Sequence, residues 1–176
     1  REENIDTDRN FLQLFTAVNA MAEKYDMPIL YSCHPRSRKR LEATGFRLDS
    51  RVIAHEPLGF HDYNCLQMNA FAVVSDSGTL PEESSFFLSV GKPFPAISIR
   101  TSTERPEALD AGCFILAGID AESLLQAVKM ADGMQRTACF GTPVEDYTAE
   151  NVSMKVARII QSYTGIVNKM VWRKDG

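Results

Sequence analysis

The 176-residue sequence lacks the features that identify membrane, disulfide-rich and metal-binding proteins. No apolar run approaches the ~18 residues that a membrane-spanning helix needs, and residues 1–4 do not resemble the start of a signal peptide. The four cysteines form no C-x-x-C pair, and the three histidines form neither H-x-x-x-H nor H-E-x-x-H. We therefore expect a cytoplasmic protein with no metal, no cofactor and no membrane partner.

The net charge and the length of the chain further restrict the class of protein. The net charge of −4 argues against a nucleic-acid partner. The basic cluster at residues 36–40 has no interleaved aromatic residue, which favours a solvated helix face. A hydrophobic content of 44% in a chain of this length suits a single globular domain. We place that domain at residues 1–165 and a tail at residues 166–176. Cys33, Cys65 and Cys113 have apolar neighbours and are interpreted as small core residues.

Short apolar strands alternate with amphipathic helices along the chain. Because this alternation is typical of a parallel sheet covered on both faces, we predict a three-layer α/β domain of the Rossmann-like type. The predicted strands are residues 28–32, 52–54, 71–75, 95–99 and 113–116. The predicted helices are residues 8–24, 36–43, 61–69 and 79–88, one that Asp120 caps, and one from Thr148 that Gly165 ends. Thr7 or Asp8 is expected to cap the first of them.

Ligands of such sheets bind beyond the carboxyl ends of the strands, here after residues 32, 54, 75 and 99. The third of these loops opens a helix with the sequence Asp-Ser-Gly-Thr-Leu-Pro-Glu-Glu at residues 76–83. Thr79 and Glu82 have the spacing of a capping box, and Gly78 permits close backbone approach or a positive φ. Free N–H groups at such a helix N-terminus suit a phosphate or pyrophosphate. A capped helix without a ligand is the equally weighted alternative.

Two charged residues near this edge have more than one interpretation. Glu83 is a poor phosphate ligand, but its carboxylate can accept two hydrogen bonds from a vicinal diol such as ribose. Arg105, in the polar loop of residues 101–107, can clamp a diphosphate or a sugar hydroxyl. The alternative for Arg105 is a surface ion pair with Glu104 or Glu107.

Several motifs occur in the order found in one enzyme family. They are Arg-Glu-Glu-Asn at residues 1–4, His-Pro at 34–35, Glu-Pro with Asp-Tyr at 56–63, Ser-Asp-Ser-Gly-Thr-x-x-Glu-Glu at 75–83, Gly-Lys-Pro at 91–93 and Thr-Glu-Arg-Pro-Glu-Ala at 103–108. Together they resemble the C-terminal half of the non-hydrolysing UDP-N-acetylglucosamine 2-epimerases over nearly the whole chain. The resemblance implies one half of a GT-B fold.

The resemblance also implies how UDP would be held. The diphosphate would contact Ser77, Gly78 and Thr79, the ribose would bind Glu83, and the uracil would bind the Tyr63 backbone. Arg105 would lie near the phosphates and the sugar. Arg1, in the motif at the start of the chain, and His34, after its strand, are the remaining candidate contacts.

In this family the reaction is elimination of UDP across C1–C2 and its readdition with C2 inverted, without a cofactor. The acid and base carboxylates are carried by an N-terminal domain, so the resemblance implies that this domain is absent from the chain and that the fragment alone is inactive. It also implies that a central strand is missing, which should leave neighbouring strand edges uncovered. We therefore expect either a piece of a longer protein or a dimer that covers the gap, and we expect the full-length protein to be a homodimer. Trp172 would anchor the tail on the N-terminal domain, and a disordered tail is the alternative.

Two departures from the family pattern leave the sugar open. Thr79 stands where a second glycine is usual, and residues 84–90 form a longer Ser-Phe run. Both resemble the branch that acts on UDP-N-acetyl-6-deoxy-L-talosamine, so UDP-N-acetylglucosamine and this 6-deoxy sugar are both candidate substrates. A GT-B glycosyltransferase half and a non-catalytic nucleotide-binding module are the competing functions.

Overall fold

The computed structural model describes residues 7–174 and shows an α/β chain with parallel strands, as predicted. Arg1 lies outside the described residues. The predicted strands and helices are present, with most boundaries within two residues of those expected. A short helix at Pro106–Asp110 and a 3-10 turn were not predicted. In chain order they are α1 (Asp8–Tyr25), β1 (Ile29–Ser32), α2 (Pro35–Thr44), β2 (Val52–His55), α3 (Phe60–Asn69), β3 (Val73–Ser75), α4 (Leu80–Ser89), β4 (Ala96–Ile99), α5 (Pro106–Asp110), β5 (Ile115–Ala117), α6 (Ala121–Thr137), a 3-10 turn (Glu145–Tyr147) and α7 (Val152–Met170).

The strands form two parallel sheets rather than one. β1 pairs with β2, and β4 pairs with both β3 and β5. Within residues 7–174 no strand pairing joins the two sheets, so the expected interruption of the sheet is observed. Ile29 of β1 and Val74 of β3 nevertheless pack against the same apolar cluster, which includes Ile97 and Leu124. A shared core therefore holds the two sheets together.

The first and sixth helices form one layer over this core. In α1 the apolar positions recur every three to four residues, which places Phe11, Phe15 and Ala22 on its buried face. Thr7 caps α1 by accepting a hydrogen bond from the Asn10 N–H at 3.1 Å, one of the two caps expected there. Asp120 caps α6 in the same way, accepting from the Ser123 N–H at 2.9 Å.

The last helix differs from its prediction at both ends. It begins at Val152 rather than Thr148, because Tyr147 and Thr148 close the preceding 3-10 turn. It continues through Gly165 to Met170, so the prediction that Gly165 ends it is wrong. A helical glycine costs only about 1 kcal/mol relative to alanine, and a Cβ at Gly165 would meet open space. The boundary drawn after residue 165 therefore lies inside α7.

The α7 helix has an apolar stripe but no buried residue. Ile159, Ile160 and Tyr163 are each more than half exposed, and Trp172 beyond the helix is 65% exposed. The contact of Trp172 with an N-terminal domain thus stays a prediction. None of the helices in residues 7–174 has the length and apolarity to cross a membrane.

All four cysteines are free. Cys33 and Cys113 are buried as predicted, but Cys65 is exposed, so its assignment to the core is wrong. Cys65 lies on α3, whose weakly amphipathic sequence buries only Gln67. In the described part of the chain, no cluster of three or more His, Cys, Asp or Glu side chains is arranged to hold a metal ion.

Candidate functional site

The turn between β3 and α4 lies at the carboxyl edge of the three-stranded sheet. Its own side chains accept from its backbone: Ser77 N–H donates to Ser75 Oγ at 3.1 Å, and Thr79 N–H donates to Ser77 Oγ at 3.3 Å. The predicted free N–H groups of Ser77 and Thr79 are therefore occupied by neighbouring hydroxyls. A charged phosphate oxygen is a stronger acceptor than a hydroxyl, so these N–H groups could also serve an anion.

Thr79 does not form the predicted capping box. Its backbone is already helical, with φ −86° and ψ −14°, whereas an N-cap side chain reaches the following N–H groups from an extended backbone. The Thr79 hydroxyl instead donates to Glu83 Oε1 at 2.7 Å, one turn further along α4. Glu82, the other predicted member of the box, is turned toward Arg105.

Gly78 is not among the glycines with positive φ in residues 7–174. The structure therefore does not show the positive φ that was one of the two roles predicted for Gly78. The other role, close approach of the backbone to a ligand, stays a prediction.

Glu83 has a donor on each carboxylate oxygen. Thr79 Oγ1 donates to Oε1 at 2.7 Å, and Gln67 Nε2 donates to Oε2 at 2.6 Å. The same Gln67 amide donates to the Tyr63 hydroxyl at 3.0 Å. The structure therefore brings the side chains of Tyr63, Thr79 and Glu83 together and adds Gln67, which the sequence analysis did not identify. Its position on the predicted helix, four residues after Tyr63, was the available signal.

Tyr63 is half-buried in the first turn of α3. Burial and, secondarily, the negative charge of Glu83 raise the pKa of its phenol above the ordinary value. The phenol is therefore a neutral hydrogen-bonding group at physiological pH. The Tyr63 backbone N–H donates to the Gly59 carbonyl at 2.9 Å, so it is already engaged in the helix.

Arg105 is paired, but not with either predicted partner. Its Nε and Nη2 both donate to Glu82 Oε1, at 2.8 and 2.7 Å. Its Nη1 donates to the Glu104 backbone carbonyl at 3.0 Å, and the Glu107 carboxylate accepts from Tyr147 instead. The hydrogen bond to Glu82 is the main reason that the pKa of Arg105 is raised. The ion pair with Glu104 or Glu107 is thus absent, and the cation lies beside the first turn of α4.

His34 lies at the carboxyl edge of the two-stranded sheet, whereas Glu83 lies beyond the three-stranded sheet. It is the exposed N-cap of α2, and its Nδ1 accepts from the Arg36 N–H at 3.3 Å. Tyr63, Gln67, Thr79 and Glu83 are called the Glu83 cluster below. Within residues 7–174 no hydrogen bond joins His34 to this cluster. Nearby Tyr31 of β1 has a pKa of about 12, raised chiefly by burial and to a lesser degree by the charge of Asp76.

Two buried serines of α4 form hydrogen bonds with backbone groups of other chain segments. Ser84 Oγ donates to the Cys113 carbonyl at 2.5 Å, and Ser85 Oγ accepts from the Val144 N–H at 2.8 Å. Both belong to the Ser-Phe run of residues 84–90. The second turn of α4 is thus tied to two chain segments that are far away in sequence.

Replacing Ser85 with alanine is expected to lower the free energy of unfolding by about 1 kcal/mol, because the partly buried Val144 N–H loses its acceptor. Urea denaturation followed by circular dichroism measures this change. Ser89→Ala is the matched control, since the exposed Ser89 hydroxyl bonds only within its own helix. Equal stabilities of the two variants would contradict an anchoring role for Ser85.

Comparison with known proteins identifies the family and the fold. The family model described as UDP-N-acetylglucosamine 2-epimerase matches residues 1–161. The UDP-N-acetylglucosamine 2-epimerase of Methanococcus maripaludis is 36% identical over 133 residues, which are 73% of this chain and 35% of that protein. The structure of UDP-N-acetylglucosamine 2-epimerase from Rickettsia bellii superposes with a TM-score of 0.80 at 37% identity, over 96% of this chain and 45% of that one.

A third relative was solved with ligands. The structure of Methanocaldococcus jannaschii UDP-GlcNAc 2-epimerase in complex with UDP-GlcNAc and UDP superposes with a TM-score of 0.72 at 28% identity, over 92% of this chain and 43% of that one. The chain thus spans about a third of the curated relative and less than half of either solved structure. The expected likeness to one half of a GT-B-type epimerase is confirmed. The chain belongs to the UDP-N-acetylglucosamine 2-epimerase family.

Proposed function

We propose that this chain is the UDP-binding C-terminal domain of a UDP-N-acetylhexosamine 2-epimerase. The observation that carries the proposal is the cluster around Glu83, a carboxylate held by neighbouring donors in the first turn of α4, at the ligand-binding edge of a parallel sheet. The solved relative that contains UDP-GlcNAc and UDP has the same fold over 92% of this chain.

The diphosphate is assigned to the turn before α4. The first turn of a helix leaves N–H groups without intrahelical partners, and the helix dipole favours an anion there. Glu82 would oppose an anion, but its pairing with Arg105 offsets that charge. Arg105 has further donor capacity in its guanidinium group, so it can contact the diphosphate while remaining paired with Glu82.

The ribose and uracil are assigned to Glu83 and Tyr63. A carboxylate accepts up to about four hydrogen bonds, so Glu83 retains acceptor capacity for the two ribose hydroxyls. Because the Tyr63 N–H is engaged by Gly59, a uracil contact at this residue would use the Tyr63 carbonyl oxygen. His34 and Arg1 are kept as contacts that the family resemblance implies.

The proposed reaction proceeds by elimination and readdition. A base removes the proton from C2 of the hexosamine, the C1–O bond breaks with its electron pair going to UDP, and a C1–C2 double bond forms. UDP then adds back at C1 while a proton is delivered to the opposite face of C2. This domain would hold UDP throughout, and the acid and base would come from an N-terminal domain of the full-length protein, which we propose to be a homodimer.

Incubating the full-length protein with UDP-N-acetylglucosamine in heavy water tests the reaction. An epimerase must incorporate one deuterium at C2 per turnover, which proton NMR detects as loss of the H2 signal. UDP-N-acetyl-6-deoxy-L-talosamine is incubated in a parallel sample. The UDP-sugar that incorporates deuterium at C2 is the substrate.

The other outcomes distinguish the competing functions. Transfer of the sugar to an acceptor with C2 untouched would identify a glycosyltransferase. UDP binding with neither exchange nor transfer would identify a nucleotide-binding module without catalytic activity.

A further inference from the structure

Gln67 is the most deeply buried polar side chain of the Glu83 cluster. It is 2% exposed, and both hydrogens of its amide are used, one toward Glu83 Oε2 at 2.6 Å and one toward the Tyr63 hydroxyl at 3.0 Å. Because these two acceptors lie on different helices, the amide joins α3 to α4. Its orientation is fixed, since the carboxylate requires the nitrogen on that side.

The other end of the same amide is unsatisfied. Gln67 Oε1 is buried and accepts no hydrogen bond within residues 7–174. A buried acceptor without a partner is unfavourable, and an apolar side chain of similar size would avoid it. If the role of residue 67 were only to fill space on α3, a glutamine would be a poor choice. Its donor end, directed at Glu83, is therefore the useful part.

The number of acceptor positions on Glu83 indicates what that donor does. Each carboxylate oxygen accepts about two hydrogen bonds. Thr79 occupies one position on Oε1 and Gln67 occupies one on Oε2. One position remains on each oxygen, which matches the two neighbouring hydroxyls of a ribose. With both oxygens tethered, the carboxylate cannot rotate to offer both positions of one oxygen instead.

We propose that Gln67 is a positioning residue that makes the site selective for ribonucleotides over deoxyribonucleotides. It acts through Glu83, whose carboxylate it orients so that both ribose hydroxyls are bound together, and it does not itself touch the nucleotide. Because the glutamine amide is uncharged, it orients the carboxylate without forming the ion pair that a lysine or arginine would form. The inference rests on the proposed binding of UDP at this site.

Gln67→Met tests the proposal, since methionine has a similar length and no hydrogen-bond donor. Isothermal titration of the full-length protein with UDP, 2′-deoxy-UDP and 3′-deoxy-UDP gives the preference for ribose as a ratio of affinities. We expect wild type to prefer UDP strongly. In the variant, UDP affinity should fall about tenfold while the affinity for each deoxy analogue changes by less than twofold, so that the preference shrinks.

Gln126→Met is the matched control. Like Gln67, Gln126 donates to a glutamate, but its partner Glu122 lies on the same helix and the pair is exposed on α6. The Gln126→Met substitution should leave all three affinities unchanged. Thermal unfolding of the unliganded Gln67→Met protein should occur at the same or a higher temperature than wild type, because the unsatisfied carbonyl is removed.

The outcomes separate the two claims. Absence of UDP binding by wild type would overturn the proposed function and this inference with it. If wild type binds UDP more tightly than the deoxy analogues and Gln67→Met keeps the same preference, only the positioning role would be overturned. An equal loss of affinity for all three nucleotides, accompanied by a lower unfolding temperature, would show that Gln67 only maintains the fold.

Discussion

Replacing Glu83 with alanine is expected to weaken UDP binding about a hundredfold, which corresponds to roughly 2.7 kcal/mol. The proposed diol contact consists of two hydrogen bonds to a charged acceptor, each with a typical net contribution of about 1.5–3 kcal/mol. Part of that loss is offset because the ribose hydroxyls can accept hydrogen bonds from Thr79 and Gln67 once Glu83 is removed. Isothermal titration calorimetry with UDP measures the loss.

Two comparisons make the Glu83 result specific. Glu122→Ala removes a carboxylate from the first turn of α6 and should leave UDP affinity unchanged. An analogue that carries the uracil and diphosphate but no ribose should bind wild type and Glu83→Ala equally. If wild type bound this analogue as tightly as UDP, the role of Glu83 in binding the diol would be wrong.

Gly141→Ala is expected to lower the free energy of unfolding by about 3 kcal/mol or more, an effect at the upper end for single substitutions. Gly141 has φ +81°, and a Cβ there would lie 2.3 Å from the Ala111 carbonyl oxygen and 2.6 Å from the Gly112 carbonyl carbon. Both neighbours are backbone atoms that cannot rotate away. Urea denaturation followed by circular dichroism measures the change.

Gly133→Ala is the control for Gly141→Ala. Gly133 lies inside α6, and a Cβ there meets nothing within 4 Å. Alanine should therefore stabilise the protein by about 0.5–1 kcal/mol through its higher helix propensity. Destabilisation of similar size by both substitutions would contradict the steric explanation.

The loop that Gly141 begins also affects the site. The Thr142 N–H donates to the Ala111 carbonyl at 2.9 Å, and the Val144 N–H donates to Ser85 of α4 at 2.8 Å. Displacement of residue 141 would therefore loosen the support behind the helix that carries Glu83. We expect Gly141→Ala to reduce UDP affinity in addition to stability.

The strands and helices were predictable because their signals are local. Apolar residues at helical spacing identified α1 from its own sequence, and Thr7 and Asp120 capped their helices as expected. The end of α7 was not predictable in the same way. Gly165 is tolerated inside the helix at small cost, so a single glycine did not decide where the helix stops.

The side-chain partners at the site depended on tertiary structure. The sequence placed Glu83 and Arg105 at the correct edge, but it could not show that Arg105 reaches Glu82, which lies 23 residues earlier. Gln67 is 16 residues before Glu83, on a helix with little amphipathic character, so no periodic pattern marked it as buried. Such pairs depend on how the elements pack in three dimensions, which no local pattern of the sequence encodes.

A crystal structure of the full-length protein with UDP would test the central claim most directly. We predict the diphosphate at the N–H groups of residues 77–79 with Arg105 beside it. Both ribose hydroxyls should lie within hydrogen-bonding distance of Glu83, one on each carboxylate oxygen. A nucleotide bound elsewhere, or a ribose that does not contact Glu83, would contradict the account.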